Sequence, residues 1–587
     1  MNKKWVFQQV DEQSVNSLYD SLHIHRILCQ LLVQRSIVTY EEARQFFRPS
    51  VEEHLHDPFL MKDMDKAVER IDRAIRNKEK ILVYGDYDVD GTTAVALVYS
   101  FLKEMYFHVD YYLPDRYKEG YGISLTSIDW AKENDFSLVI ALDCGIKAGE
   151  QVNYARQKGI DFIICDHHRP DDDSLPDAFA ILDPKRSDCS YPFDELSGCG
   201  IGFKLIQAIA KQQNISFKKL QRYLDLVVVS IAADIVPITD ENRILAHYGL
   251  KLLNRSPRPG LRSLIELNAM GRNLSISDIV FTIAPRINAA GRMDDAKQAV
   301  RLLVSEEGSI AKQSAGLLQE HNSNRKKIDT DITEEAFRLV DNDLKDNIRK
   351  SIVIYQPHWH KGVIGIVASR LSEKYFRPTI VMTLSNGMVA GSSRSIRGFD
   401  IYNALQTCSD LLEQFGGHKY AAGLTLKEEN VKPFIEKFEN VVAQTLDEKM
   451  LIPEIHIDAE LFVRDINPNF YNILRQFAPF GPGNMKPVFI MRAVSDAGKS
   501  AVVGGKHLKL VLRQDETPTS VKAIAYNMGE MLDEFKSGKK FDICFTIEEN
   551  TYNNLTTLQL NIKDVKPSDL NNIDEYSSVA EQDVYPE

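Results

Sequence analysis

The chain has 587 residues, of which 44% are hydrophobic and 26% charged, and its formal net charge is −12. Because a single core rarely grows beyond about 250–300 residues, this length predicts several domains. No apolar run is long enough to span a bilayer, and the polar N-terminus "MNKKWVFQQVDEQS" lacks the apolar stretch of a signal peptide. The seven scattered cysteines include no C-x-x-C pair, which argues against a zinc ribbon or a disulfide framework. We therefore expect a cytoplasmic protein that does not contact a membrane.

The first part of the chain reads as helices followed by an alternating strand and helix pattern. "VTYEEARQFFRPS" places Thr39 as a helix N-cap before two glutamates. Apolar runs then alternate with helical stretches from about 56 to 185, which predicts βαβ units and a parallel sheet. Residues 200–345 read as mainly helical, and they end in a long connecting helix.

The second part begins with another α/β pattern at "SIVIYQ". After residue 451 the pattern changes to short β-like runs, such as "PVFIMRAV" and "HLKLVLR", separated by Gly, Asn and Lys. These runs predict a small β-barrel or sandwich. The stretch after Pro567 has six acids and no Lys or Arg, which predicts a disordered or interaction tail.

Acidic residues stand directly after three of the predicted strands. "ILVYG" is followed by "DYDVDG", which supplies Asp86, Asp88 and Asp90. "VIAL" is followed by Asp143, and "FIIC" by "DHH" at 166–168. Because ligands bind outside the carboxyl ends of the strands in an open parallel sheet, we expect these groups to converge at one edge.

Carboxylates combined with histidines are typical of a site for Mn²⁺ or Mg²⁺ rather than for zinc held by thiolates. Asp234 in "SIAADIVP" follows another apolar run and is a further candidate ligand. Two divalent ions about 3.5–4 Å apart can share a bridging carboxylate and activate a water for attack on phosphorus. Any one of these acids alone can also belong to an ordinary turn or cap a helix, so the interpretation depends on their conjunction.

These motifs resemble a known superfamily. "GDYDVDGTTA", "ALDCGI", "CDHHRP" and "AADIVP" resemble, in order and spacing, the four motifs of the DHH phosphoesterases. Further stretches resemble its RecJ branch, namely "GYGIS", "APRINAAGRMDDA", "WHKGVIGIVASRL", "GSSRSIRGFDI", "FGGHKYAAG" and "FAPFGPGNMKPVF". The resemblance covers about residues 20–565.

The resemblance implies an α/β fold with a parallel-sheet DHH domain, a long connecting helix, a second α/β DHHA1 domain and a C-terminal OB-like β-barrel. The expected boundaries are an N-terminal helical segment 1–55, a DHH phosphoesterase domain 56–310, a connecting helix 311–345, a DHHA1 domain 346–450, an OB-like nucleic-acid-binding domain 451–566 and an acidic tail 567–587.

The resemblance also implies roles for the acids and histidines. The implied ligands of one or two Mn²⁺ or Mg²⁺ ions are Asp86, Asp88, Asp143, His167 and Asp234. Asp143 matches the bridging ligand, and His168 matches a residue that contacts the scissile phosphate or helps the leaving group. Asp90 is expected to orient a ligand or support its turn, and Asp166 to orient a neighbour. Some superfamily members have a further histidine before the first D-x-D, where this chain has "ILVYG".

The second α/β module is implied to close over the substrate. Ser392 and Arg394 in "GSSRS" are candidates for a 5′-phosphate pocket, because Arg suits bidentate phosphate recognition. Arg286 and Arg292 in "PRINAAGR" are further candidates, although an isolated arginine more often pairs with a surface acid.

"GGHKYAAG" and several aromatic residues complete the expected substrate contacts. Its paired glycines let the backbone approach a ligand, while His418 and Lys419 offer donors and charge. A single strand needs a positively charged passage with stacking surfaces, for which Tyr117, Tyr121 and Trp359 are candidates.

The family resemblance implies a metal-dependent 5′→3′ exonuclease that acts on single-stranded DNA, releases 5′-mononucleotides and serves DNA repair and recombination. Its expected partners are single-stranded DNA, with single-strand-binding protein and a helicase as further candidates. The residues alone support only phosphoester hydrolysis by a divalent metal. One alternative is a short-oligonucleotide or cyclic-dinucleotide phosphodiesterase of the same superfamily, which the additional β module disfavours. Another is a non-catalytic replication scaffold, which the complete set of candidate ligands disfavours.

Overall fold

The computed structural model describes residues 3–116, 118–171, 174–268, 273–293, 296–346, 349–514, 519–552 and 555–568. The chain forms two compact units. One comprises Met1–Leu55, Pro237–Thr239 and Glu454–Glu587, and the other comprises His56–Val236 and Asp240–Pro453. Among the described residues, no helix combines the length and apolar character needed to cross a membrane.

The N-terminal segment is mainly helical, as predicted. It contains β1 (Lys4–Phe7), α1 (Glu12–Leu22), α2 (Arg26–Val33) and α3 (Tyr40–Phe47). Thr39 caps α3 by accepting from the amide of Glu42, whose side chain accepts in return from the amide of Thr39. The sequence patterns did not predict β1, which pairs in parallel with Glu454–Ile457 of the same unit.

The first α/β region contains the predicted parallel sheet. Its elements are α4 (Met64–Arg76), β2 (Lys80–Gly85), α5 (Val89–Met105), β3 (Val109–Tyr112), α6 (Leu125–Glu133), β4 (Phe136–Leu142), α7 (Gly149–Gln157), β5 (Asp161–Cys165) and β6 (Ala180–Leu182). All strands are parallel, in the order β3-β2-β4-β5-β6. The central strands are continuous apolar runs because both faces of such a sheet are covered.

A helical region follows this sheet. It comprises α8 (Gly198–Gln212), α9 (Phe217–Leu220), α10 (Leu224–Asp234), α11 (Asp240–Arg255), α12 (Pro259–Glu266), α13 (Ile276–Asp278), α14 (Ala284–Met293), α15 (Lys297–Val304) and α16 (Gly308–Asp346), with a π-helical turn at Ile279–Ile283 before α14. The 39-residue α16 is the predicted connecting helix. It packs against α12, α14 and α15 near its start and against the next α/β region through Ile332, Ala336 and Val340.

The second α/β region has a mixed sheet. Its elements are β7 (Ile352–Tyr355), α17 (Ile364–Tyr375), β8 (Thr379–Ser385), β9 (Met388–Arg394), α18 (Ile401–Thr407), β10 (Gln414–His418), β11 (Ala421–Leu426) and α19 (Val431–Thr445). The strand order is β10-β11-β9-β8-β7, and only the β7–β8 pair is parallel. The hairpin β10–β11 forms one edge and carries the "GGHKYAAG" motif.

The C-terminal region is the predicted β module. Its elements are β12 (Glu454–Ile457), β13 (Ala459–Glu460), α20 (Pro468–Leu474), β14 (Phe489–Asp496), β15 (Ala501–Val503), β16 (His507–Arg513), β17 (Ser520–Ala525), α21 (Leu532–Lys536), β18 (Phe541–Tyr552) and β19 (Leu555–Pro567). β14 pairs with both β16 and β18, which closes the ring β14-β18-β19-β17-β16. Five strands closed in this way are OB-like. The acidic tail after Ser568 lies outside the described residues.

Candidate active site

The carboxyl ends of three adjacent strands bring the predicted acids together. The register aligns Gly85 of β2 with Leu142 of β4, and Leu142 with Cys165 of β5. Asp86, Asp143 and Asp166 are the next residues of these strands, so they emerge side by side at one sheet edge.

His167 lies at the middle of this group. Its Nε2 is 3.2 Å from Oδ1 of Asp143, 3.6 Å from Oδ2 of Asp234 and 3.8 Å from Oδ2 of Asp90. Two sets of potential ligand atoms each lie within 4.8 Å of one another, namely Asp143, His167 and His168, and Asp90, His167 and Asp234. We name Asp86, Asp88, Asp90, Asp143, His167 and Asp234 the acidic centre.

Helix ends deliver the remaining acids. Asp88 caps α5 by accepting from the amide of Gly91 at 3.0 Å. Gly91 is needed there, because a Cβ would lie 2.5 Å from the carbonyl oxygen of Asp86. Asp234 is the last residue of α10, which ends as Ile235 adopts a left-handed conformation with φ of 60°.

The carboxylates of the acidic centre repel one another. Burial, followed by the charge of Asp88, raises the pKa of Asp86 well above its ordinary value. Burial and the charges of Asp90 and Asp88 do the same to the pKa of Asp143. So many buried negative charges without an opposing cation are unfavourable at neutral pH.

Some buried polar atoms of the acidic centre lack hydrogen-bond partners, which is consistent with a site for divalent cations. Among the described residues, neither carboxylate oxygen of the fully buried Asp86 has a hydrogen-bond partner, and neither has Nδ1 of His167. Buried carboxylate oxygens are normally satisfied, and exceptions call for an explanation such as an ion. The donor set of oxygens with one imidazole suits Mn²⁺ or Mg²⁺.

The two histidines of the "DHH" motif have different protonation. Burial lowers the pKa of His167 to about 4, so its imidazole is neutral and has a lone pair to offer. Burial also opposes charge on His168, but the hydrogen bond and charge of Asp166 outweigh it and raise the pKa to about 9. Oδ1 of Asp166 lies 2.7 Å from Nδ1 of His168 and also accepts from the amides of both histidines. Asp166 therefore orients its neighbours, as predicted.

The carboxylate of Asp90 makes its hydrogen bonds with residues far from it in the chain. Its Oδ2 accepts from the amide of Gly198 at 2.7 Å, and its Oδ1 from the amide of Cys199 at 2.8 Å. The hydroxyl of Ser230 lies 2.6 Å from the same Oδ1. The carboxylate thus joins the start of α8 to α10, a long-range connection that sequence spacing could not reveal.

A cluster of arginines lies near the acidic centre. Nη1 of Arg292, in α14, donates to the carbonyl oxygen of Gly362 at 2.8 Å. Burial and the like charges of Arg116, Arg325 and Arg394 lower the pKa of Arg292 to about 10. We name these four residues the arginine cluster. Sequence reasoning missed Arg325 and also Arg116, which lies four residues before the stretch "GYGIS".

Tyr87 joins the two groups of charges. It stands between Asp86 and Asp88 in the chain, and the Arg116 guanidinium lies 5.1 Å from the centre of its ring. The backbone of Gly291 packs on the carbonyl oxygen of Tyr87, from which a Cβ at Gly291 would be only 2.7 Å away. Arg292 therefore directly follows a residue that contacts the loop carrying Asp86 and Asp88.

The "GSSRS" motif presents Arg394 in a fixed position. Its Nε donates to the hydroxyl of Ser369 at 3.1 Å, and its Nη1 donates to Ser392 Oγ at 3.2 Å and to Ser393 O at 2.7 Å. Ser392 thus orients the guanidinium. Burial lowers the pKa of Arg394, which makes a nearby anion more favourable.

Arg286, the other sequence candidate in "PRINAAGR", has a different environment. It is buried, with Nε 2.7 Å from Oε1 of Gln319, and its other nitrogens donate to Thr282 O and Asn268 Oδ1. These contacts favour a structural role for Arg286 between α14 and α16.

The β10–β11 hairpin brings His418 towards the DHH motif. Burial and the nearby charges of His168, Lys147 and Lys185 lower the pKa of His418. Lys419 follows it, with Nζ 5.8 Å from the centre of the Tyr420 ring.

The aromatic candidates have three different outcomes. Tyr121 is 57% exposed, and its ring stands edge-on to Tyr87 at 6.0 Å and to His168 at 6.4 Å. The stacking prediction for Trp359 is wrong, because this residue is 3% exposed and donates to Glu335 from within the core between α16 and α17. Tyr117 lies outside the described residues.

Models of three protein domains match the chain in order. The DHH family N-terminal domain matches residues 80–231, the DHHA1 domain residues 349–444 and the RecJ OB domain residues 457–564.

Individual proteins match most of the chain. The single-stranded-DNA-specific exonuclease RecJ of Bacillus subtilis is 37% identical over 96% of this chain and 71% of its own length. The protein of the same description from Escherichia coli is 33% identical over 86% of this chain and 90% of its own. Among solved structures, RecJ of Thermus thermophilus in complex with Mn²⁺ matches with a TM-score of 0.83 and 25% identity, over 96% of this chain and 80% of that one.

Proposed function

This chain belongs to the RecJ family of single-stranded-DNA-specific exonucleases, and we propose that it hydrolyses single-stranded DNA from the 5′ end and releases 5′-mononucleotides. The observation that carries this proposal is the acidic centre at one sheet edge with the arginine cluster beside it, where Arg116 lies against the ring of Tyr87, the residue between Asp86 and Asp88. The first group suits divalent cations and the second suits phosphate, which is the pairing that phosphodiester hydrolysis requires.

The ligands of the divalent ions are, in this proposal, Asp86, Asp88, Asp143, His167 and Asp234. Mn²⁺ or Mg²⁺ bound there supplies Lewis-acid polarisation of the phosphodiester and an activated water. Asp143 is central because it lies beside His167 and carries the repulsion of four neighbouring carboxylates. Asp90 is not one of these ligands: its Oδ2 lies 3.8 Å from Nε2 of His167, and its two carboxylate oxygens accept from the amides at the start of α8.

His168 acts as a cation towards the scissile phosphate. Asp166 keeps the imidazolium charged and fixes its orientation through Nδ1, which leaves Nε2 as a donor. A proton at this atom can stabilise a phosphate oxygen or pass to the departing 3′ oxygen.

The arginine cluster holds the 5′ phosphate, with Arg116, Arg292 and Arg394 as its donors and Ser392 as the orienting hydroxyl. Bidentate guanidinium contacts suit a terminal phosphate dianion. Tyr121 offers a face to a nucleobase, and His418 with Lys419 contacts the strand from the second α/β region.

Further aspects of the proposal follow the family and the segment boundaries. The OB-like module binds the single strand, and single-strand-binding protein and a helicase are proposed as partners in repair and recombination. We place the protein in the cytoplasm. We divide it into the segments 1–55, 56–310, 311–345, 346–450, 451–566 and 567–587.

The decisive experiment uses long DNA labelled at either end, single- or double-stranded, with purified protein and Mn²⁺ or Mg²⁺. We expect the 5′ label to be released as mononucleotide from single strands only. Loss of the 3′ label first would contradict the polarity. Cleavage of only the shortest oligomers would favour a small-phosphodiester enzyme, and strand binding without cleavage would favour a scaffold.

A further inference from the structure

A chain of buried hydrogen bonds supports the acidic centre through Asp90. It links Ser197, Gly198 and Ser230 to Asp90, and each of these residues is buried. The sequence offers one hint of it, because Ser230 is the only hydroxyl residue in the apolar stretch "LVVVSIAAD" and lies four residues before Asp234. Residues four apart share a helix face, so α10 directs both towards the site.

The two hydroxyls form a directional relay. Ser230 Oγ lies 2.6 Å from Oδ1 of Asp90 and 2.6 Å from Oγ of Ser197. Each hydroxyl has one proton and a carboxylate only accepts, so Ser230 donates to Asp90 and Ser197 donates to Ser230. Ser197 accepts in turn from the amide of Gly200 at 3.1 Å, as the N-cap of α8.

This relay fixes the start of α8 against Asp143. A Cβ at Gly198 would lie 2.7 Å from Cβ and 2.8 Å from Oδ1 of Asp143, so the carboxylate rests directly on the glycine backbone. The amide of the same glycine donates to Asp90. Movement of this helix start would therefore displace two acids of the centre together.

We propose that Ser230, Ser197 and Gly198 are positioning residues that set the metal affinity of the acidic centre. They touch neither the substrate nor the reacting atoms. They hold Asp90 and Asp143 in the arrangement that divalent ions require, and groups in this position typically change metal affinity by about 10–100-fold. The inference rests on the proposed function, because it assumes that the acidic centre binds metal.

The test is calorimetric titration of the metal-free 587-residue chain with Mn²⁺, which reports binding without turnover. We expect Ser230→Ala and Gly198→Ala each to weaken Mn²⁺ binding by about tenfold or more. Saturating Mn²⁺ should restore much of the nuclease rate of Ser230→Ala, which a general folding defect would not allow. Thermal unfolding of each variant in EDTA checks that the variant folds. If Ser230→Ala or Gly198→Ala does not fold, Mn²⁺ binding by the other variant still tests the inference.

Matched controls separate positioning from side-chain loss. Ser263→Ala removes a buried hydroxyl that donates to the carbonyl oxygen of Pro259 in the same helix, and Gly149→Ala adds a Cβ that meets no described atom within 4 Å. Both should bind Mn²⁺ like the wild type. Wild-type affinity in both Ser230→Ala and Gly198→Ala would overturn the inference while leaving the proposed function intact. A wild type that takes up no Mn²⁺ would overturn both.

Discussion

The acidic centre and the arginine cluster are opposite in charge but alike in their electrostatic state. In the first, burial and neighbouring carboxylates raise the pKa of Asp86 and Asp143. In the second, burial and neighbouring guanidinium groups lower the pKa of Arg292 to about 10. In each group, like charges destabilise the charged form of the side chains, and a bound ligand of opposite charge would stabilise it.

The two groups differ in how the chain builds them. The acids follow adjacent strands of one parallel sheet, so a single topological rule gathers most of them. The arginines come from a loop after β3, from α14, from α16 and from β9, which belong to two α/β regions and the helices between them. One sheet edge thus supplies most of the acidic centre, to which the end of α10 adds Asp234, whereas the arginine cluster requires the two α/β regions to meet.

The largest expected effect is the loss of hydrolysis when the acidic centre is broken. Asp143→Ala should reduce nuclease activity to background, because the carboxylate beside His167 is removed from the ligand set, while strand binding stays close to wild type. End-labelled DNA cleavage and a binding titration measure the two properties. Asp110→Ala, at an exposed position on β3 of the same sheet, is the control and should be fully active. Near-normal turnover by Asp143→Ala would rule out its role.

Breaking the arginine cluster should have a smaller and more selective effect. Hydrogen bonds to charged groups contribute about 1.5–3 kcal/mol, so Arg394→Ala and Arg116→Ala should each reduce the preference for 5′-phosphorylated over 5′-hydroxyl ends by about 10–100-fold. Competition between the two kinds of end measures this ratio. Arg301→Ala, an exposed position on α15, should keep the wild-type preference. An unchanged ratio in both cluster variants would show that the phosphate binds elsewhere.

The smallest expected effect is a change in thermal stability, which tests whether the buried carboxylates of the acidic centre repel one another. The folded-state pKa of Asp143 is raised, so ionisation of this group destabilises the metal-free protein at neutral pH. In EDTA, Asp143→Asn should therefore unfold at a higher temperature than wild type at pH 8. The difference should shrink as the pH falls towards about 4, where the carboxyl is protonated in the unfolded chain as well. Asp110→Asn should show no such trend, and a wild type more stable than Asp143→Asn at pH 8 would contradict the repulsion.

Local patterns were sufficient for most elements of the fold. Continuous apolar runs identified β2, β4 and β5 because these strands are covered on both faces, and the Thr39 capping box was visible as a spacing of three residues. The sequence patterns did not predict β1, because four residues carry little periodicity and its pairing partner lies some 450 residues away.

Sequence by itself determined which acids and histidines gather at the sheet edge, because strand direction and the ends of apolar runs are local properties. Tertiary structure alone decided that Asp90 supports α8, that Arg116 joins the arginine cluster, and that Trp359 is a core residue. Each of these depends on which distant backbone or side chain fills the space beside the residue. That choice is made by packing, which no spacing along the chain encodes.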